Sequence, residues 1–261
     1  MSDPDPIHCL AYEGLCNRMN CVASAMATGR KTILSWAVNQ HCPAEFGEVF
    51  APVAGLEISN ERMEQYRRSA DPGRLCWFYP RNVMGLAREE FRDRLMAAYR
   101  ELVGAMTVET FASPAPGSLG LAYRGYLPEI DPLPDFLEKI TRTCDALQPA
   151  SVFVASDSPE FKERLVDSIG GLSIPTAAND CRLANSDLER SLEGVRGMCM
   201  DLKSLTRCEL GVISNNTRST VPDSLRAFGI RTYHTFDDGF HRYGGRDDLF
   251  ESQPISAILP G

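Results

Sequence analysis

Four short segments carry side chains suited to gripping an anion or a sugar hydroxyl. The first, Gly14-Leu15-Cys16-Asn17-Arg18, sets a glycine, an amide and a guanidinium at the head of a helical apolar pattern. A helix start presents orphan N–H groups and the positive end of the helix dipole, and both favour phosphate. Asn17 is equally suited to capping that helix. In the second, "LAYRGYLP", Arg124 follows an apolar run, where a guanidinium can bind phosphate through paired bonds. In the third, "VFVASDSPEF", Asp157 stands between an apolar run and Pro159. A carboxylate there accepts from a ribose or sugar hydroxyl, while Ser156, Asp157 and Ser158 are all suited to helix capping. The fourth is the polar run Asn215-Asn216-Thr217-Arg218-Ser219-Thr220, preceded by a helical pattern that includes Asp201. Amides, hydroxyls and an arginine before a helix make a phosphate cradle, with a solvated loop as the plainer alternative.

The surrounding pattern predicts the elements that hold these segments. "IHCLAYEG" reads as a strand ending at Gly14, and residues 17–29 as a helix with Met19, Val22, Ala23 and Met26 on one face. "TILSWAV" reads as the next strand, completing a βαβ unit. A helix over "REEFRDRLMAAYRELVGAM" carries Phe91, Leu95, Tyr99 and Leu102 on one side. "SPAPGS", residues 113–118, reads as a linker. Beyond it "SLGLAYRG", "SVFVAS", "CELGVIS" and "IRTYHTF" read as strands, the last of these being the final one, and "GLSIPT" as a further candidate. Helices alternate with them over "FLEKITRTCDAL", "PEFKERLVDSI", "DLERSLEGVRGMCMDLKSL" and "PDSLRAF". Alternation of this kind predicts parallel βα units. We therefore expect two α/β halves, residues 1–114 and 115–261.

Composition narrows the function. A net charge of −8 over 261 residues disfavours a general nucleic-acid binder. No apolar run reaches the roughly 18 residues of a membrane span. The start "MSDPDPIHC" has neither a basic region nor an apolar core of a signal, so a cytoplasmic protein with reduced thiols is expected. The nine cysteines show no C-x2-C spacing, so no metal site is expected and small buried thiols are the reading. A nicotinamide-dependent oxidoreductase would need a G-x-G-x-x-G turn, which the sequence lacks.

Gly14, Asn17, Arg18, Trp36, Asn39, Cys42, Ala44 and Phe46 together resemble a motif of the GDP-fucose-dependent fucosyltransferase superfamily. That group contains the α1,6-fucosyltransferases, the nodulation fucosyltransferases and the protein O-fucosyltransferases. The motif runs G-x-x-N-R/Q and then W-x2-N-x2-C-x-A-x-F. The family's H-x-R is similar here at Arg124, with Ala122 in the histidine position; its ATDD is similar to "ASDS", matching Asp157. Asp201 through Thr220 resembles the family's aspartate helix, strand and serine-rich loop. The resemblance implies a GT-B-like fold, two Rossmann-like halves facing a central cleft. It implies an inverting, metal-independent glycosyltransferase with no cofactor. The donor would be a nucleotide sugar, GDP-linked, carrying fucose or a related sugar, and the acceptor a small molecule or oligosaccharide.

By the same resemblance, Arg124 would neutralise the diphosphate, with Asn216, Thr217, Arg218 and Ser219 around its oxygens. Asp201 would accept from guanine N1–H and N2–H, Asp157 would take a hydroxyl, and Asn17 and Arg18 would lie near the transferred sugar. Glu13 is the candidate general base, with Glu45, Asp237 and Asp238 as others. Ala122 leaves room for the alternative of a nucleotide-sugar-binding relic without turnover.

Overall fold

The first strand, β1 (Ile7–Ala11), leads through a tight turn into α1 (Leu15–Met26), and β2 (Thr32–Trp36) lies parallel beside β1. These elements belong to a computed structural model that describes residues 6–12, 14–59, 74–75, 88–110, 116–123, 132–156, 158–169, 191–214, 220–235 and 253–259. A four-residue helix, α2 (Phe46–Val49), precedes β3 (Leu56–Ile58), and β4 (Arg74–Leu75) pairs with the other side of β1. The sheet order is β3-β2-β1-β4 and every pairing in it is parallel. A long helix, α3 (Arg88–Ala105), packs on α1.

Helix α1 differs from its expectation in two ways. It begins at Leu15, so the residue before it is Gly14 and Asn17 lies inside the first turn; no side chain caps this end. Gly14 has φ −63°, which any residue adopts, so its backbone is not what requires glycine. The helix is also buried almost all round, Arg18, Asn20 and Ser24 included. Burial on all sides follows from its place between the sheet and α3, whose Phe91, Leu95, Tyr99 and Leu102 are each at most 1% exposed. Asn20 meets this demand by accepting a hydrogen bond from the Tyr99 hydroxyl.

The second sheet begins with β5 (Ser118–Tyr123), followed by α4 (Leu133–Leu147), β6 (Ser151–Ser156) and α5 (Pro159–Ser168). Then come α6 (Leu192–Leu205), β7 (Leu210–Ile213), α7 (Thr220–Ala227) and β8 (Arg231–His234). The sequence reading ends the sheet at β8, but a two-residue strand, β9 (Gln253–Pro254), adds to its edge. Two residues with a proline leave no periodicity to detect. The "GLSIPT" candidate lies outside the described residues. The order is β6-β5-β7-β8-β9, again all parallel.

Strand alternation divides the core of this sheet. Leu119, Leu121 and Tyr123 pack with Phe136, Leu137 and Ile140 of α4 and with Phe161 and Leu165 of α5. On the opposite face Ala122, Phe153 and Ile213 meet Leu205, Cys208 and Leu225. Glycine is required on that face for closeness: a Cβ on Gly120 would stand 2.9 Å from Leu205 Cδ2 and 3.1 Å from Cys208 Sγ.

The chain divides into two compact units, Met1–Val108 with Leu188–Arg196, and Glu109–Asp187 with Gly197–Gly261. Among the described residues no helix is long and apolar enough to cross a membrane.

Candidate functional site

The turn from β1 to α1 is built around Arg18. Its side chain is 1% exposed, and Nη2 donates to the Tyr12 carbonyl at 3.0 Å and to Asn39 Oδ1 at 3.1 Å. The guanidinium carbon lies 4.7 Å from the centre of the Trp36 ring, a cation–π contact. Asn39 ties the same carbonyl from the other side, its Nδ2 donating to Tyr12 O at 2.5 Å. Asn39 Oδ1 also accepts from the His41 and Cys42 backbone N–H groups, at 2.9 and 3.2 Å. The Trp36 indole N–H donates to the Ala44 carbonyl at 2.7 Å. Its ring meets Phe46 edge-on at 5.4 Å, and Phe46 stacks on Phe50 at 4.8 Å. The spaced residues Arg18, Trp36, Asn39, Cys42, Ala44 and Phe46 thus form one packed unit, with Cys42 and Ala44 fully buried.

Arg18 therefore turns inward, donating to the protein's own backbone and to Asn39. Asn17, its neighbour, is half-buried and has no hydrogen-bond partner among the described residues. Asn17 and the amide end of α1, which no side chain caps, sit at the carboxyl end of β1, whose neighbours on the two sides are β2 and β4. This is the point where strand order reverses in the first sheet, the place where open α/β sheets bind ligands.

The second sheet has the same feature. Counting β5 as its first strand, its order is 2-1-3-4-5, with the reversal between β5 and β7. The registers place Tyr123 beside Ser156 and Ala122 beside Ile213, so β6, β5 and β7 end at one edge. Arg124 follows Tyr123 in the chain, Asp157 follows Ser156, and Asn216, Thr217, Arg218 and Ser219 run between Ser214 and Thr220. These six, together with Glu13, Asp237 and Asp238, lie outside the described residues. Their described flanks are well fixed. Ser158 caps α5, its Oγ accepting from Phe161 N–H at 3.1 Å, and Ser156 Oγ accepts from Ser158 N–H at 3.0 Å. Ser158 is thus the cap among the three candidates. At the start of α7, Thr220, Asp223 and Ser224 are all buried.

Asp201 lies half-buried near the end of α6, with its Oδ1 shielded from solvent. Ala122, in the histidine position of the resemblance, is 5% exposed and packed into the cluster with Leu205 and Ile213. The sequence reading did not foresee the roles of the Tyr12 carbonyl or of Phe50. A main-chain carbonyl leaves no trace in residue type, and the Phe50 ring meets Trp36 edge-on at 6.0 Å, a contact that no periodicity in the sequence connects.

No protein-family model and no curated protein sequence matches this chain. Solved structures do. The NodZ α1,6-fucosyltransferase co-crystallised with GDP aligns at TM-score 0.59 and 14% identity, over 89% of this chain and 96% of that one. The same enzyme soaked with GDP-fucose aligns at TM-score 0.54 and 14% identity, over 88% and 95%. Fucosyltransferase NodZ from Bradyrhizobium, as the selenomethionine protein, aligns at 0.55 and 15%, over 89% and 96%. With its two α/β units and their parallel sheets, the chain shares the GT-B fold of the NodZ fucosyltransferase over most of its length, at low sequence identity.

Proposed function

We propose that this protein is an inverting glycosyltransferase that moves a sugar, fucose or a close relative, from a GDP-linked donor to a small-molecule or oligosaccharide acceptor. The observation that carries the reading is the reversal of strand order between β5 and β7. In the sequence, Arg124 comes directly after β5, and the segment with Thr217 and Ser219 follows shortly after β7. An arginine, hydroxyls and the start of α7 at one sheet edge supply what a leaving diphosphate needs. Asp157 adds an acceptor for a sugar hydroxyl, and Asp201 a carboxylate able to take two N–H groups of guanine. Asn216 and Arg218 belong to the same cradle. The first unit supplies the acceptor side. Asn17 meets the sugar there, and Arg18 acts through packing, by holding the turn that presents Asn17.

In the step itself the acceptor hydroxyl oxygen forms a bond to the anomeric carbon from the face opposite the diphosphate. The bond from that carbon to the phosphate oxygen breaks, and its electron pair leaves with GDP. The hydroxyl proton passes to a carboxylate, for which Glu13 is the candidate. Arg124 and the α7 amides offset the charge that develops on the leaving oxygen.

A thermal-shift series with GDP, UDP and ADP tests this. A ligand at about 100 times its Kd stabilises by roughly 2.7 kcal/mol, so GDP should raise the melting temperature clearly and the others less. Arg124→Ala should remove the GDP shift, and Asp201→Asn should narrow the preference for guanine. A flat response to all three nucleotides would overturn the reading. The burial of Ala122 in the core favours a second reading, a nucleotide-sugar-binding protein without turnover. Saturable binding of GDP-fucose with no release of GDP, across a broad panel of acceptors, would select it.

A further inference from the structure

Cys9 is the middle residue of β1, and alternation along the strand puts its side chain on the face it shares with Ile7 and Ala11. Cys21 stands three positions after Arg18, on the same side of α1. That side of the helix runs back along the strand. Arg18 Nη2 donates to the Tyr12 carbonyl, and Cys21 Sγ lies 3.8 Å from the Leu10 carbonyl. One residue further back is Cys9, whose sulfur stands 3.1 Å from that of Cys21.

Seven cysteines are described and all are free thiols, yet these two bring their sulfurs together from positions 12 apart. A sulfur–sulfur bond measures about 2.05 Å, so the atoms need close by only about 1 Å. Cys9 is 2% exposed and Cys21 4%, which bars a bulky oxidant and favours a small uncharged one. The Cys21 thiol keeps its proton at neutral pH, because of its hydrogen bond with Cys9, then burial and the Cys9 charge. Reaction therefore waits on a local opening. The start of α1, with no side chain to cap it, supplies one.

We propose that Cys9 and Cys21 are a modification site, at which hydrogen peroxide or a similar small peroxide converts the two thiols to a disulfide that fastens α1 to β1. One sulfur attacks a peroxide oxygen as its thiolate. The O–O bond breaks, the first water leaves, and a sulfenic acid remains. The second sulfur then attacks the first, the S–S bond forms, and the hydroxyl leaves as a second water. The two sulfurs give up two electrons to the peroxide, and both thiol protons end in water. The bridge requires no nucleotide, so it stands or falls apart from the transferase reading.

The test exposes the whole reduced chain to excess hydrogen peroxide in native buffer, then alkylates and digests it with trypsin. Cleavage after Arg18 and Arg30 separates the two cysteines, so a bridge joins residues 1–18 to 19–30. Fragment ions distinguish Cys9 from Cys16, which lies on the same peptide. The bridge should map to Cys9 and Cys21, and the melting temperature should rise by about 5 °C or more. Cys9→Ser should show neither change under the same treatment, while Cys144→Ser should show both. The mapping needs no substitution, so it decides the matter even if Cys9→Ser fails to fold. No bridged peptide after prolonged exposure would mean a pair of inert packing thiols and would overturn the proposal. A bridge at Cys16, a bridge formed only in urea, or a bridged chain that melts no higher would overturn it as well.

Discussion

Arg18 is the residue whose role the fold redefines. A guanidinium with bonds to Tyr12 O and Asn39 and a face on Trp36 is part of the interior. Arg18→Met should therefore cost about 3 kcal/mol, since charge-assisted bonds are lost and buried acceptors are left unpaired. The check is urea denaturation in the absence of nucleotide; unchanged stability would mean that the side chain serves a ligand instead. The cysteines make a second residue-scale case. The Cys21 thiol is held well above its ordinary 9.0 by its hydrogen bond with Cys9, whose sulfur lies 3.1 Å away, then by burial and by the Cys9 charge. Cys144 is pushed up to about 11 by burial and, less, by Asp145. Cys208 is pushed up to about 11 by burial, against a lowering hydrogen bond with Ser118. In the unfolded chain such thiols ionise near 9.0, so from there to about 11 the unfolded state holds fewer protons than the native one. Stability then falls as pH rises through that window. Denaturation midpoints at stepped alkaline pH should be level below it and decline within it. A midpoint that stays level to the top of the window would contradict the burial of these thiols.

At the scale of elements, two local devices can be weighed separately. Ser158 caps α5, so Ser158→Ala should cost about 1 kcal/mol and Ser158→Gly only a few tenths. Gly120 lets Leu205 and Cys208 approach β5, so Gly120→Val should cost about 1–3 kcal/mol by overpacking. Thermal melts of the three variants give the comparison, and a neutral Gly120→Val would show that the helix face gives way freely. The elements also show what a sequence reveals. Strands β1, β2 and β5 to β8 were legible because each is a run of four or more residues with mostly buried side chains, bounded by polar or glycine-containing turns. Strand β3 has three residues, all at least partly exposed, and β4 and β9 have two each, so no period exists to read. The early start of α1 was hidden because Gly14 gives no side-chain capping signal. The inward turn of Arg18 depends on Trp36 and Asn39, partners 18 and 21 positions away that periodicity does not connect.

For the whole molecule, the two reversals of strand order were not legible, because alternation of strand and helix fixes parallel pairing but not which strand lies beside which. If the diphosphate binds where β5 and β7 end, GDP should slow amide exchange at Val212–Ser214 and at the start of α7. The α3 amides from Phe91 to Leu102 should be unaffected. Exchange followed by mass spectrometry reads both, and protection confined to α3 would contradict the assignment. One last consequence follows from the cluster around Asn39, whose single amide group serves the Tyr12 carbonyl, Arg18 and two backbone N–H groups. Its members are energetically entangled, so replacing Arg18 and Asn39 together should cost less than the sum of the separate losses. Such entanglement makes these residues answerable to folding first: each is needed for the turn after β1 whether or not any of them meets a ligand.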